Sequence, residues 1–232
     1  MLRPVAPIFL CIIALAATAN AQITSRSERR LLIPGDVMTL ARPTLGAEPW
    51  YGLYRTTSGV YELRRTTVTV EDTPRGCGGT GRRISGADSS SPLVFIAGLP
   101  TLREGPVDTA FAGSKFIYPA ESVTMRLGTD NWYALSAFGT AKPGASEVFV
   151  TDYDLVLRIQ QHSQVVASFP RLDWDGPPKL LWAGDLDRDG RLDVLADLRQ
   201  SYVGHRYVLL VSSLAPRDSL VVRAAEFITS GC

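Results

Sequence analysis

The feature that most constrains this chain is an aspartate-rich loop at residues 185–193, with the sequence Asp-Leu-Asp-Arg-Asp-Gly-Arg-Leu-Asp. Its four carboxylates belong to Asp185, Asp187, Asp189 and Asp193, and like charges held this close repel one another. A hard cation removes that cost, and Ca²⁺ accepts roughly six to eight oxygen ligands in flexible geometry. The loop therefore predicts a calcium site; the alternative is a solvated acidic turn.

The spacing gives each loop residue a role in metal binding. The first three aspartates would supply carboxylate oxygens at alternate positions, and Gly190 would allow the sharp turn. Arg191 would contribute its backbone carbonyl, and Asp193 would bind directly or through a water molecule. An EF-hand would also need a glutamate at the twelfth position, which is Ala196 here. The predicted ligand set is therefore Asp185, Asp187, Asp189, Arg191 and Asp193, outside an EF-hand.

The segments on both sides of the loop have the pattern of strands. Residues 179–183 form a short apolar run, and residues 192–198 alternate between apolar and polar. We expect these two segments to pair, because the loop must reverse the chain to gather its ligands. Since Asp193 must face the ion, the period of two predicts that Leu192 and Val194 form the buried set.

The loop and its flanks resemble a known family of calcium-binding repeats. Trp-Ala-Gly at 182–184, followed by Asp-x-Asp-x-Asp-Gly-x-x-Asp and an apolar strand, is similar to the FG-GAP/VCBS-type repeat of secreted β proteins and integrin-like propellers. The resemblance covers residues 179–198 and implies a calcium-binding loop between strands. A closed propeller needs several blades at a fixed period, whereas residues 173–176 are only a degenerate second copy.

Short apolar or β-branched runs recur along the chain and are bounded by Pro, Gly, Asp or Ser, which is typical of strands. They lie at 37–41, 51–56, 60–64, 67–71, 93–97, 122–127, 132–137, 148–151, 155–160, 165–169, 207–211 and 224–228. No segment has a long helical period. The sequence therefore predicts a mainly β fold of antiparallel meanders and hairpins, forming a sandwich-like or partial propeller-like assembly.

The N-terminal residues have the features of a secretory signal peptide. A positive start, an apolar stretch over residues 5–17 and Ala-Asn-Ala at 19–21 predict cleavage near Ala21 and a periplasmic or secreted mature protein. We expect residues 1–21 to be the signal peptide and 22–34 to be a flexible segment. Residues 35–232 would form a single β-rich domain or two lobes divided by a loop at 73–92. No other apolar segment is long enough to predict a transmembrane span.

Charge and motifs exclude several classes of function. The chain has 24 basic and 23 acidic residues, and loss of Arg3 with the signal leaves equal numbers, so nothing predicts a nucleic-acid partner. The glycine-rich run at 76–81 is followed by Arg82 and Arg83 where a phosphate-binding loop needs Lys and Ser or Thr. No serine-hydrolase or zinc-protease motif occurs, and the chain has only two histidines.

We therefore expect a non-enzymatic binding or structural module at the bacterial cell envelope, with Ca²⁺ as its ligand and an unidentified protein or glycan partner. The alternative is a secreted hydrolase that acts on glycans with carboxylates that spacing does not locate. Aromatic side chains could line a sugar-binding face or belong to the core. They are Trp50, Tyr51, Tyr54, Trp132, Tyr133, Trp174 and Trp182.

The mature chain is predicted to contain one disulfide. Cys11 leaves with the signal, so Cys77 and Cys232 remain and would pair in an oxidising compartment; two free thiols are the alternative. In the chain-entropy treatment, so long a closed loop is worth about 4–5 kcal/mol. Peptide mapping of exported protein without reductant should recover the two cysteine peptides linked. Quantitative labelling of two free thiols would contradict the bridge.

Overall fold

The computed structural model describes residues 28–39, 41–74, 80–88, 90–144 and 148–230. These ranges contain sixteen strands and no helix, and every strand pairing is antiparallel, which confirms the predicted mainly β fold. The strands are β1 (Arg30–Leu32), β2 (Gly35–Val37), β3 (Trp50–Arg55), β4 (Tyr61–Thr66), β5 (Val68–Pro74), β6 (Thr80–Gly86), β7 (Val94–Ala97), β8 (Gly105–Phe116), β9 (Ser122–Leu127), β10 (Asn131–Pro143), β11 (Val148–Ile159), β12 (His162–Asp173), β13 (Lys179–Asp185), β14 (Asp193–Asp197), β15 (Gly204–Val211) and β16 (Val222–Ser230).

Two sequence predictions fall outside the described ranges. The proposed signal peptide, residues 1–21, and both cysteines of the proposed bridge, Cys77 and Cys232, belong to this group. Within the described ranges, no helix has the length and apolar character needed to cross a membrane.

The strands form three sheets. The largest has nine strands in the order β1-β7-β3-β4-β8-β13-β14-β15-β16 and is nearly closed, because its first and last strands lie close together. A four-stranded sheet has the order β12-β11-β10-β9, and a three-stranded sheet has the order β2-β6-β5. Hairpins connect most neighbours in the second sheet, as the short spacing of the strand runs predicts.

Three neighbouring strands, β13, β14 and β15, separate two hydrophobic cores. One face of these strands packs with β1, β3, β4, β6 and β7 in the first core, and the other face packs against β9–β12 in the second. The cross-strand row on the first face is Trp182, Leu195 and Leu209. The row on the second face is Leu180, Ala196 and Val208. The period of two thus places apolar side chains on both faces of these three strands, which we call the central wall.

The predicted hairpin around the aspartate loop is confirmed. β13 pairs with β14 in the register Gly184↔Asp193 to Lys179↔Asp197, with one irregularity between Leu180 and Trp182. Leu192 and Val194 are buried, as predicted, in the second core. Leu195 on the opposite face is buried as well, because the first core covers that side of the wall.

Two loop predictions are corrected by the structure. The expectation of a flexible segment at 22–34 is wrong for β1, whose Leu31 and Leu32 are buried and pair with β7. The expectation of one long loop at 73–92 is wrong for residues 80–86, which form β6 between β2 and β5. Ile84 anchors β6 in the first core, at 1% exposure, and this burial outweighs the Gly-, Ser- and Arg-rich composition around it.

The wall should be the part of the fold most sensitive to truncation. Val208→Ala, at 0% exposure in β15, should lower the free energy of unfolding by about 2 kcal/mol, because two buried methyl groups are lost and a cavity is left. Val165→Ala is the matched control on β12, at 53% exposure, and should cost less than about 0.5 kcal/mol. Urea unfolding measures both, and equal losses would contradict the assignment of the wall.

Candidate metal site

The aspartate loop joins β13 to β14 at one end of the wall. Gly190 has a φ of +80°, in the left-handed region that favours glycine, as expected for the sharp turn. Gly184 precedes the loop at a close approach between strands, since a Cβ there would lie 2.2 Å from the carbonyl oxygen of Asp108. The local sequence therefore permits both the tight pairing before the loop and the turn within it.

The structure brings three of the predicted ligands together. Asp185, Asp187 and Asp193 each offer a carboxylate oxygen, and these oxygens lie within 4.8 Å of one another. Asp185 and Asp193 are buried at 7% and 0% exposure, while Asp187 is partly exposed. This cluster could hold a metal ion, because convergent carboxylate oxygens are the ligands that hard divalent cations prefer.

Backbone N–H groups orient the two buried carboxylates. Asp185 accepts hydrogen bonds from the backbone nitrogens of Asp189 (2.9 Å) and Gly190 (2.8 Å). Asp193 accepts from the backbone nitrogens of Leu186 (2.9 Å) and Ser212 (2.8 Å), and from the Ser212 hydroxyl (2.9 Å). These donors partly offset the cost of burying the charges, and they hold the carboxylates in place.

Asp187 has one carboxylate oxygen without a protein partner. Its Oδ2 accepts from the Thr101 hydroxyl (2.9 Å) and from the Ser213 hydroxyl. Its Oδ1 is buried and has no hydrogen-bond partner among the described residues. A buried acceptor left unpaired is costly, and a cation at the cluster would remove that cost.

Asp189 does not belong to this group of three carboxylates. Asp189 Oδ1 accepts from the Arg191 backbone nitrogen (2.9 Å), Asp189 Oδ2 accepts from Arg191 Nε (3.0 Å), and the Ser212 hydroxyl lies 3.1 Å from both oxygens. Asp189 thus connects the loop to its own tip and to Ser212. A metal role for Asp189, or for the carbonyl of Arg191, stays a prediction.

Long-range contacts fasten the loop to two other connections. Thr101 lies between β7 and β8, and Ser212 and Ser213 follow β15. Arg188 donates to the carbonyl oxygens of Glu104 (3.0 Å) and Pro106 (3.1 Å). The sequence alone does not predict these contacts, because Thr101 is separated from Asp187 by 86 positions and carries no motif.

Burial dominates the electrostatics of the site. The pKa of Asp193 is raised to about 7, mainly by burial; hydrogen bonds from Ser212 and Leu186 oppose the rise, and the charge of Asp187 adds to it. Burial also raises the pKa of Asp185, again with a contribution from neighbouring aspartates. Both groups therefore resist ionisation unless positive charge is supplied, which is what a bound cation does.

The structure also bears on the predicted sugar-binding face of aromatic side chains and on other possible metal sites. Among the aromatic candidates for a sugar-binding face, Trp50, Tyr54, Tyr133 and Trp182 are buried, so no continuous face of seven rings exists. Trp132 and Trp174 are exposed. The three loop aspartates are the one group of three or more metal-capable side chains within the described ranges. The glycine-rich run at 76–81 lies mostly outside those ranges.

The fold and the site together define a mainly β protein with an acidic, metal-capable loop at the junction of two cores. Comparison with models of protein families, with curated proteins and with solved structures found no match to this chain. The resemblance of residues 179–198 to FG-GAP/VCBS-type repeats therefore stays a prediction.

The side chain of Ser212, in the β15–β16 connection, should stabilise the aspartate loop. Ser212→Ala removes a fully buried hydroxyl that donates to the carboxylate of Asp193, so we expect a loss of about 2 kcal/mol in unfolding free energy. Ser168→Ala on an exposed position of β12 is the matched control and should change stability by less than about 0.5 kcal/mol. Chemical denaturation decides, and a neutral Ser212→Ala would show that the hydroxyl contacts do not stabilise the loop.

Proposed function

We propose that this chain is an exported calcium-binding β protein, in which the ion stabilises the fold of a non-enzymatic binding or structural module at the cell envelope. The observation that carries the proposal is the convergence of Asp185, Asp187 and Asp193 within 4.8 Å, with a buried, unpartnered Asp187 Oδ1 among them.

The donor set supports calcium over other metals. The clustered ligands are all carboxylates, and no histidine or cysteine belongs to the group. Zinc, copper and nickel favour nitrogen or sulfur ligands, whereas calcium favours oxygen. Magnesium demands a tighter octahedral arrangement, which carboxylates on an irregular loop meet less readily than the flexible calcium geometry. The hydroxyls of Thr101 and Ser213 add neutral oxygens beside Asp187.

The position of the cluster supports a structural role for the ion. Asp185 and Asp193 are almost fully buried and already bound to backbone N–H groups, so little of their surface is open to a substrate. A cation there would link the β13–β14 loop, through Asp187, to the β7–β8 and β15–β16 connections. Calcium binding would therefore stabilise one end of the nine-stranded sheet.

Export and partner class belong to the same proposal. The predicted signal peptide supports a periplasmic or secreted location, where millimolar calcium can occupy a site of modest affinity. The partner would be an unidentified protein or glycan. The alternative of a secreted glycan hydrolase stays a prediction, without a specific observation in its favour.

Calcium should raise the melting temperature of the purified protein. At a concentration about 100 times the dissociation constant, binding to the folded state alone adds about 2.7 kcal/mol, or roughly 5–10 °C for a chain of this length. Asp187→Ala should abolish the rise. Asp175→Ala, in the degenerate turn at 173–176, is the matched control and should preserve it.

Differential scanning calorimetry with calcium, with magnesium and with a chelator measures this response. Indifference of the wild-type melting temperature to calcium would refute the proposal. A rise that survives Asp187→Ala would place the ion elsewhere in the molecule.

The effect of calcium should depend on pH. Because the pKa of Asp193 is raised to about 7, the ion must displace a proton below that pH. The calcium-induced rise in melting temperature at a fixed subsaturating concentration should therefore be larger at about pH 8 than at about pH 6.

Without calcium, in the presence of chelator, the folded state keeps this proton at pH values above the unfolded pKa of roughly 4. The contribution of Asp193 to stability therefore falls as pH rises from about 4 to 7. Melting curves across this range, with and without calcium, test both signs.

A further inference from the structure

A second polar site lies at the other end of β14 from the aspartate loop. A pocket of about 210 Å³ is lined there by the residues that follow β14, by the start of β15 and by the end of β16. The side chains that carry the argument are Arg199, Ser201, His205, Arg206 and Thr229. Two of them are permanent cations and two are neutral hydroxyls.

Arg199 is a buried cation with unsatisfied hydrogen-bonding capacity. Its side chain is 10% exposed, and its Nε is buried without a hydrogen-bond partner among the described residues. The nearest carboxylate oxygen, Asp197 Oδ2, is 3.7 Å from that Nε, and the guanidinium carbon lies 4.8 Å from the centre of the Phe116 ring. A buried guanidinium donor without an acceptor is costly, so an acceptor beside it would be stabilising.

Asp197 forms an ion pair with Arg199 but no hydrogen bond, because 3.7 Å from Oδ2 to Nε is beyond hydrogen-bond distance. Its Oδ2 lies 2.7 Å from Nδ1 of His205, and its Oδ1 accepts from the backbone nitrogen of Arg206 at 3.0 Å. Asp197 is 2% exposed, so it is a fixed anchor. It favours a proton on His205 Nδ1 and leaves Nε2 free of any protein partner in the described part of the chain.

The stacking of His205 on Tyr207 restrains the ring further. The two ring centres are 5.4 Å apart and the planes differ by 15°. The contacts with Asp197 and Tyr207 together hold an imidazole at the edge of the pocket. Arg206 has an outside partner in Glu226 at 3.7 Å, but Glu226 also pairs with Arg223 at 3.1 Å and does not line the pocket.

We propose that this pocket binds a small oxyanion, either a phosphate or sulfate group or a carboxylate. Guanidinium groups bind both kinds of anion through charge-assisted hydrogen bonds, and the lining offers Arg199 and Arg206 with hydroxyl donors from Ser201 and Thr229. The volume fits an anion of a few heavy atoms. The site is separate from the aspartate loop, so it gives the protein a ligand class in addition to calcium.

The two histidines of the chain provide a direct readout on the wild-type protein. The full mature chain is titrated with inorganic phosphate, with sulfate and with acetate at constant pH and ionic strength, and the imidazole resonances are followed by NMR. His162→Gln assigns the two signals. We expect the His205 signal to shift saturably while the His162 signal, from the β11–β12 hairpin, stays in place.

The anion that produces a saturable shift of the His205 signal identifies the chemical class of the ligand. Saturation by phosphate and sulfate but not acetate identifies a phosphoryl or sulfate ligand, and saturation by acetate alone identifies a carboxylate. The absence of a saturable shift with all three anions, or equal linear shifts of both histidines, would overturn the proposal.

Variants separate the pocket from general surface charge. Arg199→Gln should weaken anion binding at least tenfold, because it removes the buried cation. Arg158→Gln, which makes the same charge change at an exposed position of β11 outside the pocket, should leave binding unchanged. Equal affinity in wild type and Arg199→Gln would refute the assignment of the site. Asp187→Ala should bind the anion as wild type does, which keeps this test independent of calcium.

Discussion

The two-sided burial of β13, β14 and β15 is the constraint on which the rest of the structure depends. Each of these strands must present apolar side chains to both faces, because β9–β12 cover one side and the remainder of the nine-stranded sheet covers the other. A slip of one residue would exchange the large Trp182 of one core with the small Ala183 of the other, so the register is strongly specified. Both polar sites are attached to the ends of this wall.

The strands of the wall hold the carboxylates of the aspartate loop close together although their charges repel. Asp193 begins β14 at 0% exposure, and its carboxylate is held by the backbone of Leu186 and Ser212. Since the wall cannot easily move, the carboxylates cannot separate to relieve their repulsion. Positive charge from a cation is the remaining way to lower the energy, and the same contacts would keep the site ready for the ion. At the far end of β14, Asp197 instead binds His205 Nδ1 and the backbone nitrogen of Arg206.

Much of the fold could be predicted from sequence, and two of the missed strands, β6 and β8, share a physical reason. Strands with strong alternation, such as β9 and the β13–β14 hairpin, were located correctly. β1, β6 and β8 were missed, and the run predicted at 37–41 coincides with β2 only at Val37. β6 has Ile84 as its one large apolar residue, and β8 contains many small and polar residues because much of it is exposed. Such strands are held by their neighbours in the sheet, so their own residues carry a weak periodic signal.

The sequence by itself determined the local features: the spacing of the four aspartates, the glycine at the turn, and the strand periodicity on both sides of the loop. Only the tertiary structure decided that Asp185, Asp187 and Asp193 converge while Asp189 turns toward Ser212. It also decided that Thr101 reaches Asp187 and that Asp197 holds His205 beside Arg199. The physical reason is that spacing along the chain sets which side chains share a face, whereas the order of strands in a sheet sets which distant loops meet at its end.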